Sequence, residues 1–206
     1  PTGTHCLDPW TMAGAVSQHT KKIKFCVAFR PGIISPVLAA QVANTVDQIS
    51  GGRLTVNVVT GSGPTDQMRY GDHLVDHDER YARTDEFMDI VKMIWSSDSP
   101  INFKGNFYDI RETSFFPKQI SAPRPAIYMG GSSDVGRRVG AKHSDVHMMY
   151  AVEVETIAED VLDMRKRAEE FNRQDEIKFG IRIHIVCRET KKESHDAANK
   201  IIEGSS

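Results

Sequence analysis

Residues Phe179 to Val186 read FGIRIHIV, an apolar strand pattern interrupted at alternate positions by Arg182 and His184. Side chains at i and i+2 leave a strand on the same face, so the two would stand side by side. Parallel strands in α/β folds are usually apolar on both faces. A polar second face therefore points to an interior cavity, although an edge strand with one wet side would show the same pattern. In a cavity, arginine is a permanent forked donor for an anion, and histidine carries or moves a proton near neutral pH.

Small and polar residues recur at the ends of other strand patterns. Arg30 follows one, Asn57 with Thr60-Gly61-Ser62 closes a second, Gly130-Gly131-Ser132-Ser133 a third and Tyr150 a fourth. The GGSSD turn leads into a helical stretch from Val135 to Lys142. Glycine lets the backbone approach a ligand, and free amides with serine hydroxyls at a helix start bind phosphate; Ser133 as a plain helix cap explains the same residues. In HDERY, His77 and Tyr81 at i and i+4 share one helix face, as pairs on surface helices often do. Cys6 precedes a helix start, where the dipole can activate a thiol; a small buried side chain is the default for an isolated cysteine. His143 and His147 flank a strand start, but no HxH pair or carboxylate cluster completes a ligand set, so no metal is expected.

These residues hang on a regular series of elements. Lys22 to Arg30, Arg53 to Thr60, Ala126 to Gly130, Val146 to Ala151 and Ile177 to Val186 read as strands, and helical patterns follow them. Asp8 caps a helix to Thr20, with Pro9 at its start. Ser35-Pro36 opens another that Gly51-Gly52 closes. Asp76 to Ser96 carries an apolar stripe through Phe87, Ile90, Val91, Ile94 and Trp95. Thr156 to Arg173 and Glu189 to Glu203 complete the set. Ile101 to Tyr108, turning at Lys104-Gly105, reads as a small hairpin outside the sheet.

Strands alternating with helices predict a parallel sheet with right-handed crossovers. No GxGxxG follows the first strand, which weakens a doubly wound dinucleotide fold and favours a (β/α)8 TIM barrel. Such barrels run to about 250 residues. A chain of 206 residues with about five strand units is therefore expected to be an incomplete piece of the barrel, one domain over residues 1–206. The active site would gather at the carboxyl ends of the strands.

A formal net charge of -2 argues against a nucleic-acid partner. No apolar run approaches the roughly 20 residues of a bilayer span, and Pro1 to Cys6 has no signal-peptide pattern. Three cysteines at wide spacing suggest neither a disulfide framework nor a zinc site. A cytoplasmic location is expected.

The chain resembles the bacterial luciferase-like flavin-dependent monooxygenases, in particular the alkanesulfonate monooxygenase branch. The resemblance rests on PTGTHCLDPW, FRPGIISPVLAAQVANTVDQISGGR, NVVTGSGP, DHDERYARTDEF, YMGGSSDVGRR and FGIRIHIV, in the family's order. It implies reduced FMN (FMNH2) supplied by a separate NAD(P)H-dependent flavin reductase, O2 addition to form a C4a-peroxyflavin, and cleavage of an alkanesulfonate to aldehyde and sulfite. It also implies a homo-oligomer, dimer or tetramer, and strands before Pro1 and after Ser206. Position by position, Cys6 matches the active-site cysteine, Asn57 and Thr60 the flavin-side polar residues, and His77, Tyr81, Gly131, Ser132 and Ser133 the phosphate-binding set. Arg182 and His184 match the pair beside sulfonate and flavin. Tyr150 stands where the sulfonate branch tends to have tryptophan. A dimethyl sulfone or other small-molecule monooxygenase, a deazaflavin-dependent oxidoreductase and a catalytically silent flavin binder remain as alternatives. IRIH with the Cys6 segment favours the sulfonate branch.

Overall fold

The computed structural model describes residues 7–61, 68, 70–71 and 75–204. Five strands form one parallel sheet: β1 (Phe25–Phe29), β2 (Leu54–Val58), β5 (Ala126–Gly130), β6 (Val146–Tyr150) and β7 (Lys178–Arg182). They lie side by side in chain order. A doubly wound sheet reverses its order at a switch point; here the chain advances in one direction only, the winding of a barrel wall. The antiparallel pair β3 (Ile101–Lys104) and β4 (Asp109–Thr113) stands apart from this sheet.

The helices begin where short polar side chains can accept the orphan amides of a first turn. Asp8 accepts from Thr11 at α1 (Pro9–His19), and Ser35 from Leu38 at α2 (Pro36–Ser50). Asp76 accepts from Glu79 at α3 (His77–Ser96), and Ser133 from Gly136 at α4 (Asp134–His143). α5 (Val154–Glu169) has no side-chain cap, whereas Thr190 and Glu193 form a capping box at α6 (Lys191–Glu203). Gly51 ends α2 with φ 69°, a left-handed conformation that glycine adopts without a Cβ penalty.

Alternation along the strands sorts the sheet into two faces. Val27, Phe29, Val56, Val58, Ile127 and Met129 are buried on the outer face. They pack with Ala39, Ala40 and Ala43 of α2 and with Phe87, Ile90 and Ile94 of α3. Each large apolar side chain buried there contributes about 1.5–3 kcal/mol. Trp10 of α1 stacks on Phe29, centroids 5.2 Å apart, and its indole N–H donates to the Ala28 carbonyl at 3.2 Å. A second cluster, Ala141, Met164, Ala168 and Ile177, holds α4 and α5 against the last strands. The other face of the sheet carries Asn57, Tyr128, Met148 and Arg182 and lines the inside of the wall.

Several strands are shorter than the sequence patterns. The first begins at Phe25 rather than Lys22, and the last ends at Arg182 rather than Val186. The β6–β7 ladder stops at its Tyr150–Arg182 pair, the last residue of each strand. Residues 183–188 leave regular structure, and His184 lies beyond the strand on which it was expected. The hairpin is also larger, extending to Thr113, with its turn held by Glu86 of α3. That carboxylate accepts from the amides of Asn106 at 2.7 Å and Phe107 at 2.9 Å.

Candidate functional site

A cleft of about 1020 Å³ opens over the carboxyl ends of the strands. Arg30 follows β1, Asn57 sits within β2, and Thr60 and Gly61 follow β2. Gly130 ends β5, Tyr150 ends β6 and Arg182 ends β7, and all of these line the cleft. The strand register explains the convergence. Asn57 pairs with Tyr128, Gly130 with Met148, and Tyr150 with Arg182, so alternate residues of neighbouring strands point to one side.

One end of the cleft is rich in hydrogen-bond donors. His77 and Tyr81, one turn apart on α3, have ring centroids 5.1 Å apart, and both line the cleft with Gly131, Ser132 and Ser133. Glycine is required in this turn by close approach. A Cβ on Gly131 would lie 2.9 Å from the Tyr81 hydroxyl, and one on Gly136 would lie 2.8 Å from it. Gly140, one turn further along α4, leaves room for His147, whose Nδ1 would sit 2.8 Å from a Cβ there. The spacing of Gly136 and Gly140 thus seats two rings against one helix face.

Of the residues singled out in the sequence, Asn57, Thr60, His77, Tyr81, Gly131, Ser132, Ser133, Tyr150 and Arg182 line this one cleft. His184 is exposed past the end of β7 and is not among its described lining residues. Cys6 lies outside the described residues.

The sequence patterns missed other groups in the wall. Arg137 of α4 lines the cleft, and its guanidinium pairs with Asp160 at 2.7 Å and Asp163 at 3.1 Å. Burial alone would lower its pKa, but the hydrogen bonds to both carboxylates outweigh that and raise it. His147 is buried in β6, and its pKa is lowered by burial, against a hydrogen bond with the Gly131 backbone.

The expectation that no carboxylate cluster surrounds the paired histidines needs correction. Asp85 and Asp89 of α3 converge on His143 at the end of α4, with ligand atoms within 4.8 Å of one another. They sit one turn apart and so share a helix face, a signal the sequence contains. Lys142 Nζ lies 2.7 Å from Asp85 and 2.8 Å from Asp89, so its ammonium is the cation between them. His143 Nε2 lies 2.6 Å from Asp85. Burial pushes the His143 pKa down to about 4 despite that carboxylate. Asp85 is held at about 2, because hydrogen bonds from His143 and Lys142 outweigh its own burial.

The family model for luciferase-like monooxygenases matches residues 1–206. Among solved structures, a riboflavin lyase with modified FMN and riboflavin superposes with TM-score 0.89 at 23% identity, covering 97% of this chain and 49% of that one. A long-chain alkane monooxygenase gives TM-score 0.84 at 28% identity, covering 94% and 50%. An EDTA monooxygenase from Chelativorans sp. BNC1 gives TM-score 0.86 at 22% identity, covering 97% and 51%. The chain thus spans about half the length of these structures. Among the described residues no helix is long and apolar enough to cross a membrane.

Proposed function

Because the chain belongs to the luciferase-like monooxygenase family, we propose that it binds reduced FMN in the cleft and uses O2 to oxygenate a small organosulfonate. The reaction splits the carbon–sulfur bond: alkanesulfonate, O2 and FMNH2 give aldehyde, sulfite, FMN and water. The observation that carries this reading is the polarity of the two ends of one cleft. His77, Tyr81, Ser132 and Ser133 gather at the start of α4, and Arg182 projects from the end of β7.

The residues present fit the cofactor. The cleft is as large as the roughly 300–1,000 Å³ of ordinary ligand pockets. Ser133 accepts from the Gly136 amide at 3.2 Å, which leaves its hydroxyl proton free to donate. With the Tyr81 hydroxyl, the Ser132 hydroxyl and the first-turn amides of α4, it makes a donor set suited to a phosphate at a helix N-terminus. Reduced FMN, when bound, would supply the two electrons that activate O2.

The chain's own groups then divide the work. The α4 turn holds the phosphate and so fixes the cofactor in the cleft. Asn57 and Thr60, at the end of β2, offer polar contacts along the wall. Arg182 holds the sulfonate by two parallel N–H···O bonds, and Tyr150 beside it shapes the substrate pocket. His184 and Cys6 keep their proposed parts, proton transfer and a thiol close to the flavin, on the family resemblance alone. A separate NAD(P)H-dependent reductase, a cytoplasmic location and a dimer or tetramer belong to the same proposal.

The test is sulfite release with FMN, a flavin reductase, NADPH and O2 across short and long alkanesulfonates and dimethyl sulfone. Sulfite that requires reduced flavin and falls in Arg182→Ala at limiting sulfonate supports the reading. Binding of FMNH2 without sulfite from any sulfonate would direct the chemistry to another substrate.

A further inference from the structure

The two residues flanking Ser133 are both held from α5, and through one carboxylate. Asp163 Oδ2 accepts from Arg137 at 3.1 Å and from Arg167 Nε at 2.9 Å. Arg137 in turn donates from Nε to the Ser132 carbonyl at 3.1 Å. Arg167 pairs with the Asp134 carboxylate at 2.8 Å, and its Nη1 lies 3.4 Å from the Asp134 carbonyl. A chain of alternating charges therefore leaves the GGSSD turn at Ser132, passes through Asp163 and returns at Asp134.

We propose that Asp163 is a positioning residue for phosphate binding at the start of α4. The inference rests on the flavin reading given above. In a trans peptide the carbonyl and the following N–H point in opposite directions. Arg137 fixes the Ser132 carbonyl on the α5 side, and so turns the Ser133 N–H to the other. Asp163 keeps Arg137 in that position: with two carboxylates and one carbonyl, the guanidinium is committed to its neighbours. It acts on the turn rather than as a free cation for the ligand. Networks of charged hydrogen bonds of this kind lock the geometry of groups that touch a ligand.

The proposal predicts a sign opposite to that of simple charge. Asp163→Asn removes a negative charge near a phosphate site, which by Coulomb's law alone strengthens anion binding. If Asp163 positions the turn, the same substitution weakens it. The experiment is anaerobic titration of the purified protein with reduced FMN and with reduced riboflavin, which lacks the phosphate. The expected result is a Kd for FMN raised about tenfold in Asp163→Asn, by analogy with the roughly 10–100-fold losses when groups orienting metal ligands are removed. Riboflavin binding stays unchanged, and Asp163→Glu restores most of the FMN affinity. Unchanged or tighter FMN binding overturns the proposal, as does an equal loss for both flavins, which would mark a general structural role. A wild-type protein with no preference for FMN over riboflavin overturns the phosphate reading itself, and the proposal with it.

Discussion

Tyr150 and Arg182 oppose each other across the β6–β7 ladder as its last registered pair, and both line the cleft. The pairing places a phenol beside a guanidinium at the cleft wall, where an anion can be gripped and its apolar tail covered. A hydrogen bond to a charged group contributes about 1.5–3 kcal/mol. Arg182→Ala is therefore expected to raise KM for a sulfonate roughly 10- to 100-fold, with a much smaller change for an uncharged substrate such as a sulfone. Steady-state kinetics on both substrates decide it; an equal loss on both would remove Arg182 from anion binding.

The Gly131–Tyr81 contact gives a second prediction. A Cβ on Gly131 would lie 2.9 Å from the Tyr81 hydroxyl but 3.4 Å or more from its other neighbours. The hydroxyl is the nearest obstacle, and the backbone φ of 158° at Gly131 adds a strain of its own to any Cβ. Gly131→Ala should weaken FMN binding about tenfold, and Tyr81→Phe should weaken it less. The double variant should be no worse than Gly131→Ala alone, because the clash has gone, and contacting residues commonly couple by about 0.5–3 kcal/mol. Strictly additive losses in a double-mutant cycle would show that the collision does not control the turn.

Local chemistry made much of this architecture legible. Asp8, Ser35 and Ser133 cap helices where the sequence places them, since a cap depends only on residues within one turn. Long-range relations were not legible. The turn of the hairpin depends on Glu86, about twenty residues earlier in the chain. His184 lies past the last β6–β7 pair, which the alternation of FGIRIHIV does not reveal. Arg137 and Asp163 belong to different helices, and neither sits in a motif that announces the other.

Asp47 illustrates such a hidden relation in the scaffold. It is fully buried in α2 and accepts from the amides of Ile120 at 2.7 Å and Ser121 at 2.8 Å, and from the Ser121 hydroxyl at 2.7 Å. The carboxylate thus anchors the segment that leads into β5. Asp47→Ala leaves three donors without their acceptor, and each buried group so orphaned costs about 1–3 kcal/mol. Partial access of water to the loop reduces the sum, so a loss of about 3 kcal/mol is expected in urea unfolding. A loss under about 1 kcal/mol would mean that the segment finds other acceptors.

His143 carries a pH dependence whose direction follows from its burial. Its pKa in the fold is about 4 against an ordinary 6.5, so between those values the unfolded chain binds the extra proton and the folded chain does not. Stability is then complete above about pH 6.5 and falls as the pH drops toward 4. Asp85, held at about 2 against 3.8, extends the loss at still lower pH. The groups facing the ring are Asp85, Asp89 and the Lys142 ammonium between them, and the positive Lys92 side chain also disfavours a charged imidazole. At about 1.4 kcal/mol per pKa unit, the His143 contribution between pH 7 and 4.5 is on the order of 2–3 kcal/mol. His143→Gln keeps a side-chain N–H to offer Asp85 but cannot titrate, so its stability should fall less over that interval than that of the wild-type protein. Urea midpoints at the two pH values measure the difference, and parallel declines in both proteins would assign the acid sensitivity to other groups.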